Sequence, residues 1–392
     1  MVMCMPSKKF PWLIVCVIVL LGVILSLGFV RVINQLGSAS SPHSQTAQAS
    51  PTPTPFIPTP TPTPTLPLLH VSGTQIVNAS GQPVTLLGAS HSSLEFLCSG
   101  DNHFQLADFQ AMRSWGMNVV RIPLSSEFWA NPHNDCPNYH LTVTSAVANA
   151  EAAGMYVILD LQWDAPLNLP SDVTGGGGQY PMPDTGKDLT FWQDLATIYR
   201  SDPGVIFDLF GEPHDVSWDT WYNGGTVNTI IYKGATLEGG QGVYQAIGMR
   251  DLAARVRAIA PDNLILISGL DWGYDLSNVV QNYQIQVPNI LYSTHPFDHG
   301  REEPGDWPGA FGRASAQIPV IAAEFGSYSC QTGYISTAIS YFESHHMSWI
   351  AWGWDIAPCS TPSLIKDWSG TPIAPYGSYI RQQMLATAQG GA

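Results

Sequence analysis

Beyond its first 80 residues the chain repeats one pattern. A short, almost unbroken apolar run ends in a polar or aromatic residue, and a stretch with apolar positions three and four apart follows. The runs are Val84 to Ala89, Val119 to Pro123, Tyr156 to Leu161, Val205 to Phe210, Leu264 to Ser268, Ile290 to Thr294, Val320 to Ala323 and Trp349 to Trp352. Runs this short and continuous suit strands buried on both faces, the condition of a parallel sheet. The stretches Leu106 to Trp115, Val143 to Ala153, Phe191 to Tyr199, Tyr244 to Ile259 and Ile335 to His345 read as helices. A hairpin opens the series, from Gln75–Val77 through a turn at Ser80-Gly81 to Pro83–Leu87. Alternation of eight strands with helices predicts an α/β fold, a (β/α)8 TIM barrel, better than two domains.

The N-terminal part reads differently. Lys8 and Lys9 precede an apolar run from Phe10 to Val30, closed by Arg31. About 20 apolar residues span a bilayer, whereas a cleavable signal has an apolar core of roughly 7 to 15. The positive flank keeps the N-terminus in the cytoplasm. From Ser38 to Leu69 the composition turns to Ser, Thr, Gln and Pro, with Thr-Pro alternation through Pro51 to Pro64, a semi-rigid extended spacer. The expected organisation is therefore 1–37 cytoplasmic stub and signal-anchor transmembrane helix, 38–69 linker and 70–392 barrel, a single-pass protein of the cell membrane with its barrel extracellular. A long signal cut near Ala47 to Ala49 would give a secreted protein instead.

Cysteine usage fits an oxidising location. Cys4 and Cys16 lie before or within the apolar run, leaving Cys98, Cys136, Cys330 and Cys359. Four allow three pairings; proximity in sequence and loop-like surroundings favour Cys98–Cys136 and Cys330–Cys359. No CxxC or His-rich spacing supports a metal site, and no cofactor motif occurs: Gly175 to Gly178 reads as a loop, and Gly186-Lys187-Asp188 lacks the Ser/Thr of a phosphate-binding loop.

Charge narrows the partners. Lys plus Arg number 15 and Asp plus Glu 30, a net charge of −15, and no acid precedes Glu95. A chain this acidic is unsuited to gripping nucleic acid. Its 13 Trp, 15 Tyr and 14 Phe exclude disorder for most of its length. Low charge density also predicts tolerance of acidic conditions, since fewer carboxylate ion pairs are lost on protonation.

In a barrel of this kind the active site gathers at the C-terminal ends of the strands. Those ends carry Arg121, Gln162 with Trp163, Glu212, Trp272, His295, Glu324 and Trp354. Glu212 closes the fourth strand and Glu324 the seventh, on opposite sides of the mouth. Two carboxyls about 5 to 5.5 Å apart form the acid/base and nucleophile of a retaining glycosidase. Exposed indoles at strand ends suit the flat C–H faces of pyranose rings, whereas Trp192, Trp218 and Trp221 read as packing.

The ordered stretches Leu86-Leu87-Gly88-Ala89-Ser90, Gly116-Met117-Asn118-Val119-Val120-Arg121-Ile122-Pro123, Val157-Ile158-Leu159-Asp160-Leu161, Gly211-Glu212-Pro213, Tyr292-Ser293-Thr294-His295-Pro296, Ala323-Glu324-Phe325-Gly326 and Trp352-Gly353-Trp354 resemble glycoside hydrolase family 5, the cellulase-type barrels of the 4/7 clan. The resemblance covers nearly all of 70–392. It implies that Glu212 is the general acid/base and Glu324 the nucleophile; by its charge Arg121 would keep Glu324 ionised, or else brace the barrel, and His295 would orient the acid/base, or else be a structural histidine. Substrate contacts are expected from His91, Arg121, Gln162, Trp163, Gly211, Trp272, His295 and Trp354 at or after the strand ends. Endo-β-1,4-glucanase activity on a polysaccharide, by a monomer without cofactor, is the expectation; a mannanase or another β-glycanase is the alternative. The chain departs from the family at Gly211 (usually Asn), Gln162 (often His), Phe297 (usually Tyr) and Ser90 (usually Asn). Each change alters a transition-state contact, which raises the rival expectation of an impaired, polysaccharide-binding barrel.

Overall fold

The alternation along each apolar run decides how the chain closes. The computed structural model describes residues 66–130, 136–166, 169, 177–233 and 236–390, all within one compact unit, Thr61–Ala392. The apolar run and nearly all of the linker lie outside the described residues. Among the described residues no helix is long and apolar enough to cross a membrane.

An antiparallel hairpin of β1 (Leu69–Ser72) and β2 (Gln75–Asn78) comes first. The barrel follows with β3 (Leu87–Ser90), β4 (Val119–Ser125), β5 (Tyr156–Trp163) and β6 (Val205–Asp208). A second hairpin, β7 (Gly224–Lys233) and β8 (Thr236–Ile247), interrupts the series. Then come β9 (Ile265–Ser268), β10 (Ile290–Thr294), β11 (Val320–Ala322) and β12 (Ser348–Ala351). A small hairpin, β13 (Ile365–Asp367) with β14 (Thr371–Pro372), lies beyond. The barrel strands close in the order β10-β11-β12-β3-β4-β5-β6-β9, all parallel.

Successive side chains on a strand point to opposite faces, so each barrel strand feeds two cores. Outward residues such as Val120, Ile122, Leu159, Leu161 and Phe207 join the large outer core, which includes helix residues such as Phe109, Val143 and Leu195. Inward residues Val119, Ile158, Ile206, Leu266, Leu291, Ile321 and Ile350 fill the barrel interior. The same alternation turns Arg121, Asp160 and Asp208 inward, two positions beyond Val119, Ile158 and Ile206. Ascending the barrel, the interior therefore changes from aliphatic to charged.

Three expectations need correction. The opening hairpin pairs β2 with Leu69–Ser72, not with Pro83–Leu87, which contributes only a bridge from Pro83 to Val77. The first barrel strand accordingly begins at Leu87 rather than Val84. The helix expected from Tyr244 starts at Met249, because Tyr244 to Ile247 completes β8. Period-two burial explains the latter: Val227, Thr229, Tyr244 and Ala246 are buried, while Thr226, Asn228, Val243 and Gln245 are exposed. Glycine opens this hairpin because position 224 has φ +75° and a Cβ there would lie 2.5 Å from the Ala246 carbonyl oxygen. Two disulfides, Cys98–Cys136 and Cys330–Cys359, with Cα separations of 5.3 and 5.2 Å, tie loops at the strand ends.

Candidate active site

One cation organises the floor. Arg121, fully buried on β4, donates from Nε to Asp208 Oδ2 at 3.1 Å and from Nη1 to Glu324 Oε1, and its Nη2 lies 2.9 Å from Asp160 Oδ2. Nη2 also donates to Gln162 Oε1 at 3.3 Å. Burial works against the guanidinium charge, but Asp160, Glu324 and Asp208 overcome it and hold the proton more firmly than usual. Three carboxylates around one cation cannot all ionise cheaply. Burial accordingly pushes Asp160 well above the ordinary carboxylate range, against the pull of Arg121.

Above this layer the two carboxyls meet. Glu324 follows β11 and Glu212 follows β6, and oxygens of the two lie within 4.8 Å of one another and of a His295 ring nitrogen. Glu324 is almost wholly buried, whereas the Glu212 side chain is 17% exposed, open toward the mouth. Burial raises both pKa values; Arg121 counters it for each, but only Glu324 receives the guanidinium directly. Glu212 instead receives neutral amide donors, at Oε2: Gln162 Nε2 at 2.7 Å and Gln179 Nε2. The ion-paired carboxylate is thus Glu324, and the group able to keep a proton is Glu212. Burial pushes His295 down to about 4, leaving a neutral imidazole whose Nδ1 stands 3.9 Å from Glu212 Oε1. Among the described residues, Glu212, His295 and Glu324 are also the group close enough to hold a metal ion.

Aromatic residues line the rim unevenly. Trp272 is 38% exposed and stacks on His214 with ring centroids 3.7 Å apart and planes 5° from parallel. Asp271 and Trp272 take left-handed φ values of 56° and 62° before Gly273, a strained turn in which the Trp272 backbone N–H donates to the Pro213 carbonyl at 3.1 Å. Trp163 ends β5 partly exposed, against Phe96. Trp354 does not reach the mouth: it is fully buried against Trp115 at 4.9 Å. β12 stops at Ala351, so Trp352, partly exposed, is the first residue beyond the strand and takes the rim position expected of Trp354. His91 is likewise corrected. Its ring is buried between Phe104 and Trp368, with Nε2 toward Asp101 at 3.3 Å, and it touches neither carboxyl. Trp192 and Trp221 are buried packing residues, as expected.

Three site residues escape a reading of strand ends. Gln179 arrives from the long segment after β5. Tyr328, after β11, stacks on Phe297 at 5.5 Å, and its phenol is pushed up to about 12 by burial and then by Glu212 and Glu324. Glu95, buried beyond β3, accepts from the Ser93 N–H at 2.7 Å and is raised to about 8 by burial, with Glu324 adding to the shift and Arg121 opposing it.

Residues 77–358 match the family described as Cellulase (glycosyl hydrolase family 5). The chain belongs to glycosyl hydrolase family 5. Endoglucanase N of Pectobacterium atrosepticum is 25% identical over 339 residues, covering 82% of this chain and 66% of that protein. Endoglucanase E-5 of Thermobifida fusca is 22% identical over 342 residues, covering 81% of this chain and 63% of that protein. The native β-glucanase SdGluc5_26A of Saccharophagus degradans superposes with a TM-score of 0.64 at 25% identity, over 83% of this chain and 94% of that one. The chain spans about two thirds or less of the curated relatives it matches first, 66%, 58% and 58% of their lengths.

Within this family 5 barrel the departures at 162 and 211 are neighbours in space. A Cβ on Gly211 would lie 2.7 Å from Arg121 Nη2, 2.9 Å from Asp160 Oδ1 and closer still to Gln162 Oε1. Gln162 occupies the room that a side chain at 211 would need.

Proposed function

We propose that this chain is a retaining endo-β-1,4-glucanase, tethered to the membrane by its N-terminal helix with the barrel outside the cell, and acting as a monomer. The approach of Glu212 and Glu324 to within 4.8 Å at the ends of the fourth and seventh barrel strands carries the reading. That spacing suits direct attack on a sugar carbon; an inverting pair leaves room for a water, at roughly 6.5 to 9.5 Å. Several relatives bear the name endoglucanase, which supports a β-glucan substrate. The run from Phe10 to Val30 behind Lys8 and Lys9 supports the tether.

The steps follow from the charges. Glu324, held ionised by Arg121, attacks the anomeric carbon while Glu212 gives its proton to the departing glycosidic oxygen. A glycosyl ester forms on Glu324. Water then enters the vacated side, Glu212 takes its proton, and the ester is cleaved with net retention. Neutral His295 sits beside Glu212 without competing for the proton. Trp272 on the Glu212 side and Trp352 offer faces for pyranose rings.

Hydrolysis of a soluble cellulose derivative tests the activity, with Glu212→Gln and Glu324→Gln as controls. Each variant is expected to lose at least about 10²-fold; unchanged turnover in both contradicts the assignment, and inhibition by EDTA would point to a metal at Glu212, His295 and Glu324. A panel of β-glucan, mannan and xyloglucan separates this reading from a mannanase or another β-glycanase. Gly211, Gln162 and Phe297 favour one second reading, a barrel that binds polysaccharide with little turnover. Binding without hydrolysis in that panel would select it.

A further inference from the structure

Building on the glycosidase reading, we propose that Gln162 and Gln179 clamp Oε2 of Glu212 so that the transferable proton sits on Oε1, and that glycine at 211 leaves Gln162 the room to do so. The orientation of the Gln162 carboxamide is fixed at one end. Arg121 Nη2 can only donate, so the atom facing it at 3.3 Å is Oε1, and Nε2 faces Glu212 Oε2 at 2.7 Å. Gln179 Nε2 donates to the same oxygen. An oxygen that receives two N–H groups has no acceptor in front of it for a hydroxyl hydrogen of its own. Neutral Glu212 therefore carries its proton on Oε1.

Among the described residues that oxygen is the one left free. The nearest ring nitrogen, His295 Nδ1, stands 3.9 Å away, beyond hydrogen-bond reach. In the first step the O–H bond at Oε1 breaks, the proton passes to the glycosidic oxygen as that oxygen leaves the anomeric carbon, and the electron pair stays on Glu212 while Glu324 forms the new C–O bond. The clamp then stabilises the carboxylate that results. Gln162 and Gln179 are positioning residues: they act on the sugar through Glu212.

Position 211 sets the condition. A methyl group there would run into Gln162 Oε1, Arg121 Nη2 and Asp160 Oδ1. The carboxamide is the group that can swing away, and in doing so it would release both Arg121 and Glu212. Gly211→Ala should thus include the loss of Gln162 without mutating it, together with the methyl's pressure on Arg121 and Asp160.

The test is kcat/KM for two aryl β-cellobiosides. Methylumbelliferyl β-cellobioside needs acid assistance to its leaving group; dinitrophenyl β-cellobioside departs as a phenolate without it. Q162A and Q179A are each expected to lose roughly 10- to 100-fold on the first and about threefold or less on the second. G211A should cost at least as much as Q162A, and should cost less when added to Q162A than in the wild type, the remainder coming from the methyl's approach to Arg121 and Asp160. Thermal unfolding checks that each variant folds, and Q179A carries the test should Q162A not fold. Equal losses on both cellobiosides overturn the proposal, as does a cost of G211A that is the same with and without Gln162. Absence of wild-type turnover on either compound overturns the glycosidase reading itself, and this proposal with it.

Discussion

Arg121 Nη1 donates to Oε1 of Glu324 across 203 residues of sequence, joining the second barrel strand to the end of the seventh. The same guanidinium holds Asp160 and Asp208, so its removal would leave three carboxyl groups without their cation in the barrel interior. Arg121→Ala is expected to destabilise the fold by about 3–5 kcal/mol, seen as a fall in Tm. Arg121→Lys keeps the charge but not the planar fork. It should retain more of the stability than of the activity, read as Tm beside kcat/KM on a soluble cellulose derivative.

The two tryptophans of Trp352-Gly353-Trp354 should separate. Trp354 is buried against Trp115, so Trp354→Ala should cost about 3–5 kcal/mol in stability. Trp352→Ala should leave Tm nearly unchanged and raise KM for cellooligosaccharides. Equal effects of the two substitutions on both measurements would contradict this assignment.

Stability should fall as pH rises through neutrality. Burial, with help from neighbouring carboxyls, holds Glu95 and Glu151 at about 8 and Glu302 and Asp188 at about 7, against ordinary values of 4.5 for Glu and 3.8 for Asp. Each binds its proton more tightly folded than unfolded. Their contribution is fully present below the unfolded values and is lost as pH climbs through the folded ones. Asp101 and Asp298 are shifted down by their hydrogen bonds, which outweigh burial, and oppose this only in the acid range below ordinary carboxyl values. Unfolding by scanning calorimetry should give a higher Tm at about pH 5 than at about pH 9, in line with the acid tolerance that low charge density predicts.

Each disulfide closes a loop, of 38 and 29 residues respectively. Loops of that length correspond to about 3–4 kcal/mol of stabilisation in the chain-entropy account. Cys330→Ser with Cys359→Ser should lower the midpoint of denaturant unfolding accordingly, with no change in the denaturant slope if only stability is altered.

Much of the barrel was legible because its strands are buried on both faces and so stand out as continuous apolar runs. Glu212 and Glu324 were legible for the same reason: an acid directly after a buried strand is costly without a role. The hairpin of β7 and β8 was not, since its glycine-rich alternation sits beside a helical pattern that swallows Tyr244. Gln179 was hidden because a long segment after β5, not a strand end, delivers it. The apolar run continues to Trp352, which makes Trp354 read as the residue beyond the strand; β12 stops at Ala351, and Trp352 takes that place. His91 follows a strand too, but the neighbouring rings of Phe104 and Trp368 draw it into the core.

Proton NMR of a cellooligosaccharide during the first moments of hydrolysis tests the central claim most directly. Glu212 and Glu324 at their observed spacing predict that the new reducing end appears first as the β-anomer and reaches the equilibrium mixture only by slow mutarotation. Initial release of the α-anomer would mean that water, not Glu324, attacks the sugar, and would contradict the account.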